Sequence, residues 1–151
     1  MPHEIAHADG YTISDDQARF DLERAHRWIG QESYWAKGIP MATFAKSVAG
    51  SLTVGAYAPG GEMAGMARVV TDRATFAWLC DVFVDEPGRG HGVGKKIVAF
   101  VKGHPDLQGL RRMHLATADA HGLYAQYGFK PLTGVDRWME IVDREVYSRD
   151  A

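Results

Sequence analysis

One cysteine, Cys80, in 151 residues leaves no internal disulfide to form, which suits a chain that folds in a reducing compartment. Long apolar runs are missing too. No stretch approaches the roughly 20 residues that a membrane-spanning helix needs. The opening Met-Pro-His-Glu-Ile-Ala-His has no basic region followed by an apolar run, so no signal peptide is expected. Positive charge is not in excess: 17 Lys and Arg against 19 Asp and Glu give a net charge of −2, with no electrostatic pull toward nucleic acid or an anionic membrane. Seven histidines are present, but none stands at metal-ligand spacing with acidic or Cys partners, and no metal is expected. Internal repeats, linkers and low-complexity segments are also lacking. What remains is a cytoplasmic chain of one domain, 1–151, with 46% hydrophobic residues, enough for an adequate core.

What the sequence does have is glycine, concentrated in one place. Val82 to Lys96 reads Val-Phe-Val-Asp-Glu-Pro-Gly-Arg-Gly-His-Gly-Val-Gly-Lys-Lys. A strand end, a glycine-rich turn and an amphipathic helix in that order make a site for an anion. The helix start offers unpaired N–H groups and a positive dipole end, and glycines let the backbone approach closely. Two nucleotide patterns fail on spacing. A Walker A loop needs Gly-x-x-x-x-Gly-Lys-Ser/Thr, but position 89 is Arg and position 96 is Lys. The dinucleotide fingerprint Gly-x-Gly-x-x-Gly fails as well, since its third glycine falls on Val93 or Lys95. A tight strand-to-helix connection with no ligand is the plainer alternative.

Along the chain, residues 3–13 read as a first strand. Ser14-Asp15-Asp16-Gln17 has the capping-box form, and Ala18, Leu22, Ala25 and Ile29 give one helical face that ends at Gly30. Residues 30–40 read as a loop, and 41–48 as a short helix closed by Gly50. The period then changes. Strands are predicted at 51–58, 63–71 and 74–84, joined by turns at Pro59–Glu62 and Asp72-Arg73, an antiparallel meander. Val93, Ile97, Val98 and Val101 mark a helix whose Lys95, Lys96 and Lys102 face solvent. Residues 113–117 form a strand parallel to 74–84. Residues 120–127 form a last helix ended by Gly128, and 129–132 and 137–142 two closing strands. The fold class is α+β with a mixed, mostly antiparallel sheet.

Arg89-Gly-x-Gly92-x-Gly94 resembles the pyrophosphate-binding turn of the GNAT superfamily of acyl-CoA-dependent N-acyltransferases. Arg89, Gly92 and Gly94 fill the fixed positions of its pattern, Gln/Arg-x-x-Gly-x-Gly/Ala. Downstream, Ala120, Leu123, Tyr124, Gly128 and Phe129 fit the second GNAT signature, Asn-x-x-Ala-x-x-Leu-Tyr-x-x-x-Gly-Phe, in the right order and at a typical separation. The resemblance covers about residues 50–132. Two departures stand out: Thr117 occupies the family's Asn position, and Pro87 is displaced by one residue in the approach to the turn.

The resemblance implies a GNAT-like domain of six to seven strands with a splayed parallel pair, 74–84 and 113–117, and about four helices. It implies acetyl-CoA as co-substrate. The pyrophosphate would sit on Arg89, Gly90, His91, Gly92, Val93, Gly94 and Lys95, with the pantetheine arm along Val82, Phe83 and Val84, and Thr117 nearby. Tyr124, at the tyrosine of the second signature, would be the general acid for the leaving thiolate; packing is the alternative. Asp81, a carboxylate amid apolar residues, would be the base or else an anchor. Cys80 beside it is a nucleophile or a small buried hydrophobe. Trp28, Tyr34, Trp35 and Phe44 lie where family members build the acceptor pocket, with Glu32 to meet a cation, unless the aromatics only pack a core. The activity implied is acetyl transfer to a primary amine of a small molecule. A protein or peptide acceptor, or a CoA-binding sensor without catalysis, stands as the alternative, and a homodimer is compatible.

Overall fold

The computed structural model describes residues 1–149 and contains one six-stranded sheet whose strands lie in sequence order. β1 (Glu4–Ala6), β2 (Thr12–Ser14), β3 (Leu52–Tyr57), β4 (Met63–Thr71) and β5 (Phe76–Val84) pair antiparallel, each with the next. β6 (Arg112–His114) pairs parallel with β5. The turns follow the local chemistry. Gly61 takes a positive φ of 97° between β3 and β4, as only glycine does without strain. Between β4 and β5, Asp72 Oδ1 accepts from the N–H groups of Ala74, Thr75 and Phe76.

Helices cover both faces. α1 (Leu22–Arg27), a π-helical turn (Trp28–Glu32) and α2 (Met41–Ala49) lie on one side, where Ala25, Trp28, Ile29, Phe44 and Val48 pack on Tyr57, Met63, Met66 and Phe83. α3 (Val93–Gly103) lies on the other, where Val93, Ile97, Val98 and Val101 meet Val54, Ala56, Val69 and Leu79. α4 (His121–Ala125) follows β6, and α5 (Val146–Arg149) ends the described chain. Among the described residues no helix is long and apolar enough to cross a membrane.

Five expectations need correction. The first strand is a hairpin, β1 and β2, folded at Gly10 (φ 92°). The capping box does not form: Ser14 is in β2 opposite Gly55, and its Oγ accepts from Asp16 N, so α1 starts later, capped by Asp21. Gly30 does not stop the helix but is buried inside the π-helical turn. Lys96 is not simply solvated; its Nζ donates to the His91 carbonyl at 2.8 Å and pairs with Asp9 at 2.9 Å. Neither 129–132 nor 137–142 is a strand, so the sheet has six strands and stops at β6.

Candidate active site

β5 and β6 part almost as soon as they meet. Their register holds for three pairs, Phe76–Arg112, Ala77–Met113 and Trp78–His114, and then ends. From Leu79 to Val84 the β5 edge toward β6 is unpaired, so Val82 and the Val84 N–H face a cleft, while Phe83, opposite Met66, turns its backbone to β4. This is the predicted splayed pair.

Past Val84 the chain enters the glycine turn. Asp85 Oδ1 accepts from Gly88 N at 2.8 Å, and Arg89 Nε donates to the Val84 carbonyl at 3.3 Å. Gly90 (φ 85°) and Gly92 (φ 69°) both take left-handed backbone, and a Cβ on Gly90 would meet nothing within 4 Å. His91 N donates back to Gly88 O, so its amide is not free for an anion; its ring packs on Tyr11 at 5.7 Å. Val93, Gly94 and Lys95 open α3, an eleven-residue helix whose first N–H groups have no intrahelical acceptor. The turn is therefore an open cradle of backbone donors with the positive end of α3 behind it. Lys96 braces it from outside through the His91 carbonyl.

Midway along β5 the register with β4 jumps from Met66–Phe83 to Arg68–Cys80. Two residues, Asp81 and Val82, thus oppose Ala67, and Asp81 takes φ 52°. The bulge switches the parity of the strand. Ala77 and Leu79 face the α3 side before it, Val82 and Val84 after it, and Phe83 turns to the opposite core. Asp81 is buried, and both its oxygens are occupied: Oδ1 accepts from Trp35 Nε1 at 2.8 Å and Oδ2 from Arg68 Nε at 2.9 Å. Arg68 in turn donates to Ser51 Oγ. Burial pushes the neighbouring Cys80 thiol up to about 12, so it stays a neutral thiol.

Beside the bulge, a cavity of about 480 Å³ is bounded by Tyr34, Trp35, Trp78, Asp81, Thr117 and Tyr124. Tyr124 is buried, and that burial, with Tyr34 and Asp119 nearby, raises its phenol above the ordinary value and keeps it protonated. Tyr34 reaches across the cavity, its hydroxyl accepting from Ala118 N at 2.9 Å. Thr117 Oγ1 accepts from Ala120 N, holding the turn that leads into α4. Tyr127 is drawn away from the cavity, donating to the Lys95 carbonyl.

The structure does not bring every candidate there. Trp28 is 5% exposed and stacks on Phe83 with ring centroids 5.3 Å apart, and Phe44 is fully buried, so both are core. Glu32 is exposed at the end of the π-helical turn and does not line the cavity. No group of His, Cys, Asp and Glu able to hold a metal occurs among the described residues. Arg68 and Trp78 are at the site without having been singled out. A lone arginine inside the apolar run Met63–Thr71, opposite a lone aspartate, was the available signal for Arg68.

Residues 50–131 match the acetyltransferase (GNAT) domain family. The chain belongs to the GNAT acetyltransferase family. A Xanthomonas campestris pv. campestris protein assigned to the same family is 43% identical over 98% of this chain and 99% of its own, with a TM-score of 0.87. Among more distant GNAT folds, a Mycobacterium tuberculosis protein in complex with CoA is 23% identical over 76% of this chain and 72% of its own, TM-score 0.58. The ribosomal-protein-S18-alanine N-acetyltransferase of Escherichia coli is 22% identical over 88% and 80%, TM-score 0.60. No curated protein matches the chain. As a GNAT acetyltransferase it is a transferase enzyme.

Proposed function

We propose that the whole chain, 1–151, is a cytoplasmic catalytic unit that transfers the acetyl group of acetyl-CoA to a primary amine of a small, flat apolar or aromatic molecule, by direct attack in a ternary complex. One observation carries this reading: the free β5 edge, Tyr124 and the aromatic side chains Tyr34, Trp35 and Trp78 border the same cleft. The CoA bound by the M. tuberculosis fold relative supports the choice of co-substrate. Gly90, Gly92, Val93, Gly94 and Lys95 would hold its pyrophosphate through backbone N–H groups, with Arg89 adding positive charge. His91 contributes its place in the turn rather than its amide. Val82 to Val84 would pair with the pantetheine arm as an added strand and offer an N–H to the thioester oxygen. Thr117 shapes the turn opposite.

Tyr124 is the general acid. A phenol held protonated by burial can give its proton to the thiolate as the C–S bond breaks. Asp81 is assigned to anchoring rather than to proton removal. Its oxygens are engaged by Arg68 and Trp35, and it fixes the indole that forms one wall for the acceptor. The incoming amine then loses its proton to water.

The test is thiol release. The protein is incubated with acetyl-CoA and a panel of aromatic amines, aliphatic amines and peptides, and free CoA thiol is followed. Aromatic amines should release thiol fastest. Release with peptide N-termini alone would favour a peptide acetyltransferase, and CoA binding with no acceptor-dependent release would favour a sensor module.

A further inference from the structure

The tip of the β1–β2 hairpin reaches the glycine turn. Asp9 stands there with both carboxylate oxygens engaged: Oδ1 accepts from Tyr11 N at 3.1 Å, and Oδ2 pairs with Lys96 Nζ at 2.9 Å. The Lys96 ammonium, and after it the Tyr11 N–H, hold the Asp9 carboxyl below its ordinary value. Lys96 also donates to the His91 carbonyl at 2.8 Å and lies 5.7 Å from the centre of the Tyr11 ring, on which the His91 ring packs. Tyr11 is buried in one core with Val93 of α3. The tip is closely seated. Gly10 takes φ 92°, and a Cβ there would stand 2.9 Å from Pro59 Cγ, so glycine is what lets the tip rest on the β3–β4 turn.

The bond to the His91 carbonyl matters because of what lies across the same peptide. The C=O and N–H of a trans peptide point in opposite directions, and the described chain has no cis peptide. Pinning His91 O toward Lys96 therefore aims the Gly92 N–H the other way. No backbone N–H donates to His91 O, and the Gly92 N–H has no backbone acceptor of its own. The surrounding backbone is the kind that needs such a brace. Gly88, Gly90, Gly92 and Gly94 occupy four of seven positions, and glycine loses more conformational freedom on ordering than any other residue. A turn left unbraced would have to be ordered by its ligand, at a cost in affinity.

We propose that Asp9 and Lys96 are positioning residues for the cofactor: the hairpin tip holds Lys96, and Lys96 turns the His91–Gly92 peptide so that its N–H meets the pyrophosphate. They act through the backbone of the turn rather than on the phosphates, and the role rests on the reading of that turn as the pyrophosphate site. Asp9 comes from outside residues 50–131, the segment that matches the family domain. Lys96 Nζ stands 3.5 Å from where a Cβ on Gly92 would be, so a plain attraction between its charge and phosphate is the competing role. The two roles differ in sign at Asp9. If Lys96 served only as a charge, the Asp9 carboxylate would offset it and repel the phosphates, and removing Asp9 would tighten CoA binding. If Asp9 holds Lys96 in place, removing it loosens the turn and weakens binding.

Calorimetric titration of the full chain with CoA provides the test. Asp9→Ala should weaken CoA binding by about tenfold, the order expected when a braced segment must instead be ordered on binding. Lys96→Met, which keeps an apolar stem over Tyr11, should weaken it at least as much. Lys96→Arg retains a donor for His91 O and a charge for Asp9, and should bind close to wild type. In thiol-release kinetics the Asp9→Ala loss should appear in KM for acetyl-CoA and leave KM for the acceptor unchanged. Asp9→Ala that binds CoA as tightly as wild type, or more tightly, overturns the inference and leaves the pyrophosphate assignment standing. Equal rises in both KM values would mean a general loosening of the fold and overturn it as well. Wild type that binds no CoA removes the assignment and the inference together.

Discussion

Arg68 Nε lies 2.9 Å from Asp81 Oδ2, joining adjacent strands at the place where β5 bulges. Both side chains are largely out of water, so the pair is worth most as something not to be broken. Arg68→Ala leaves a buried carboxylate with the Trp35 indole as its remaining partner. It should lower unfolding stability by about 3 kcal/mol in urea titration. A loss under about 1 kcal/mol would mean that the carboxylate rehydrates.

Asp81→Asn separates anchoring from proton transfer. The amide keeps an oxygen for Trp35 Nε1, so the indole wall should stay in place. For an anchor, the acceptor KM rises and kcat falls by less than about tenfold. A general base would be worth about 10²–10⁴ in kcat, and a loss of that size would return Asp81 to the chemistry.

Tyr124→Phe removes the proposed acid and little else, because the ring still packs against Phe129. We expect kcat to fall about 100-fold or more with CoA affinity unchanged by calorimetry. The raised phenol predicts a further sign. The alkaline loss of wild-type kcat should fall above the ordinary tyrosine value of about 10, and the Phe variant should lack that limb.

Gly92→Glu tests the cradle. The backbone there has φ 69°, which costs an L-residue roughly 1–2 kcal/mol, and the new carboxylate would stand beside the phosphates. CoA binding measured by calorimetry should weaken by about 100-fold or more, roughly the 2.7 kcal/mol of two tenfold steps. Unaltered affinity would remove the pyrophosphate assignment.

Asp72 is a stability residue outside the site. Its carboxyl is held well below the usual range by Thr75 Oγ1 and by the N–H groups of Thr75, Ala74 and Phe76. The folded value is depressed, so its contribution is fully present above the unfolded value of about 3.9 and is lost as pH falls toward the folded one. Asp72→Ala should therefore lower Tm at pH 7, and the gap to wild type should narrow below pH 4. A constant gap down to pH 2 would point to turn geometry rather than charge.

Much of the fold can be read along the chain, for a physical reason. β4 was expected at 63–71 and lies at Met63–Thr71, because turn residues bound it on both sides and its interior has strand propensity. The α3 face follows from the spacing of Val93, Ile97 and Val101. Local pattern misleads where a distant partner decides. Ser14 has a capping-box neighbour, yet pairing with β3 takes it into the sheet. Residues 137–142 have strand character but no strand beside them in their own chain. In the site, Tyr124 and the glycine turn are visible through their motifs, which are contiguous. Arg68 is not, since its meaning comes from Asp81, 13 residues away and across a bulge. Trp28 has the composition of a pocket residue, and only packing against Phe83 distinguishes it as core.

The Tyr34 hydroxyl accepting from Ala118 N has a kinetic consequence. It ties the segment after the π-helical turn to the segment before α4, so this side of the cleft is bridged by a bond between two uncharged groups. A neutral hydrogen bond of this sort contributes about 1 kcal/mol, which leaves the open form at roughly one molecule in six by the usual exponential relation. Loop motions of this scale take nanoseconds to microseconds, whereas enzymes commonly turn over about ten times a second. A contact of that strength is expected to open and reclose many times within such a turnover, so it sets no limit on how fast a product can leave.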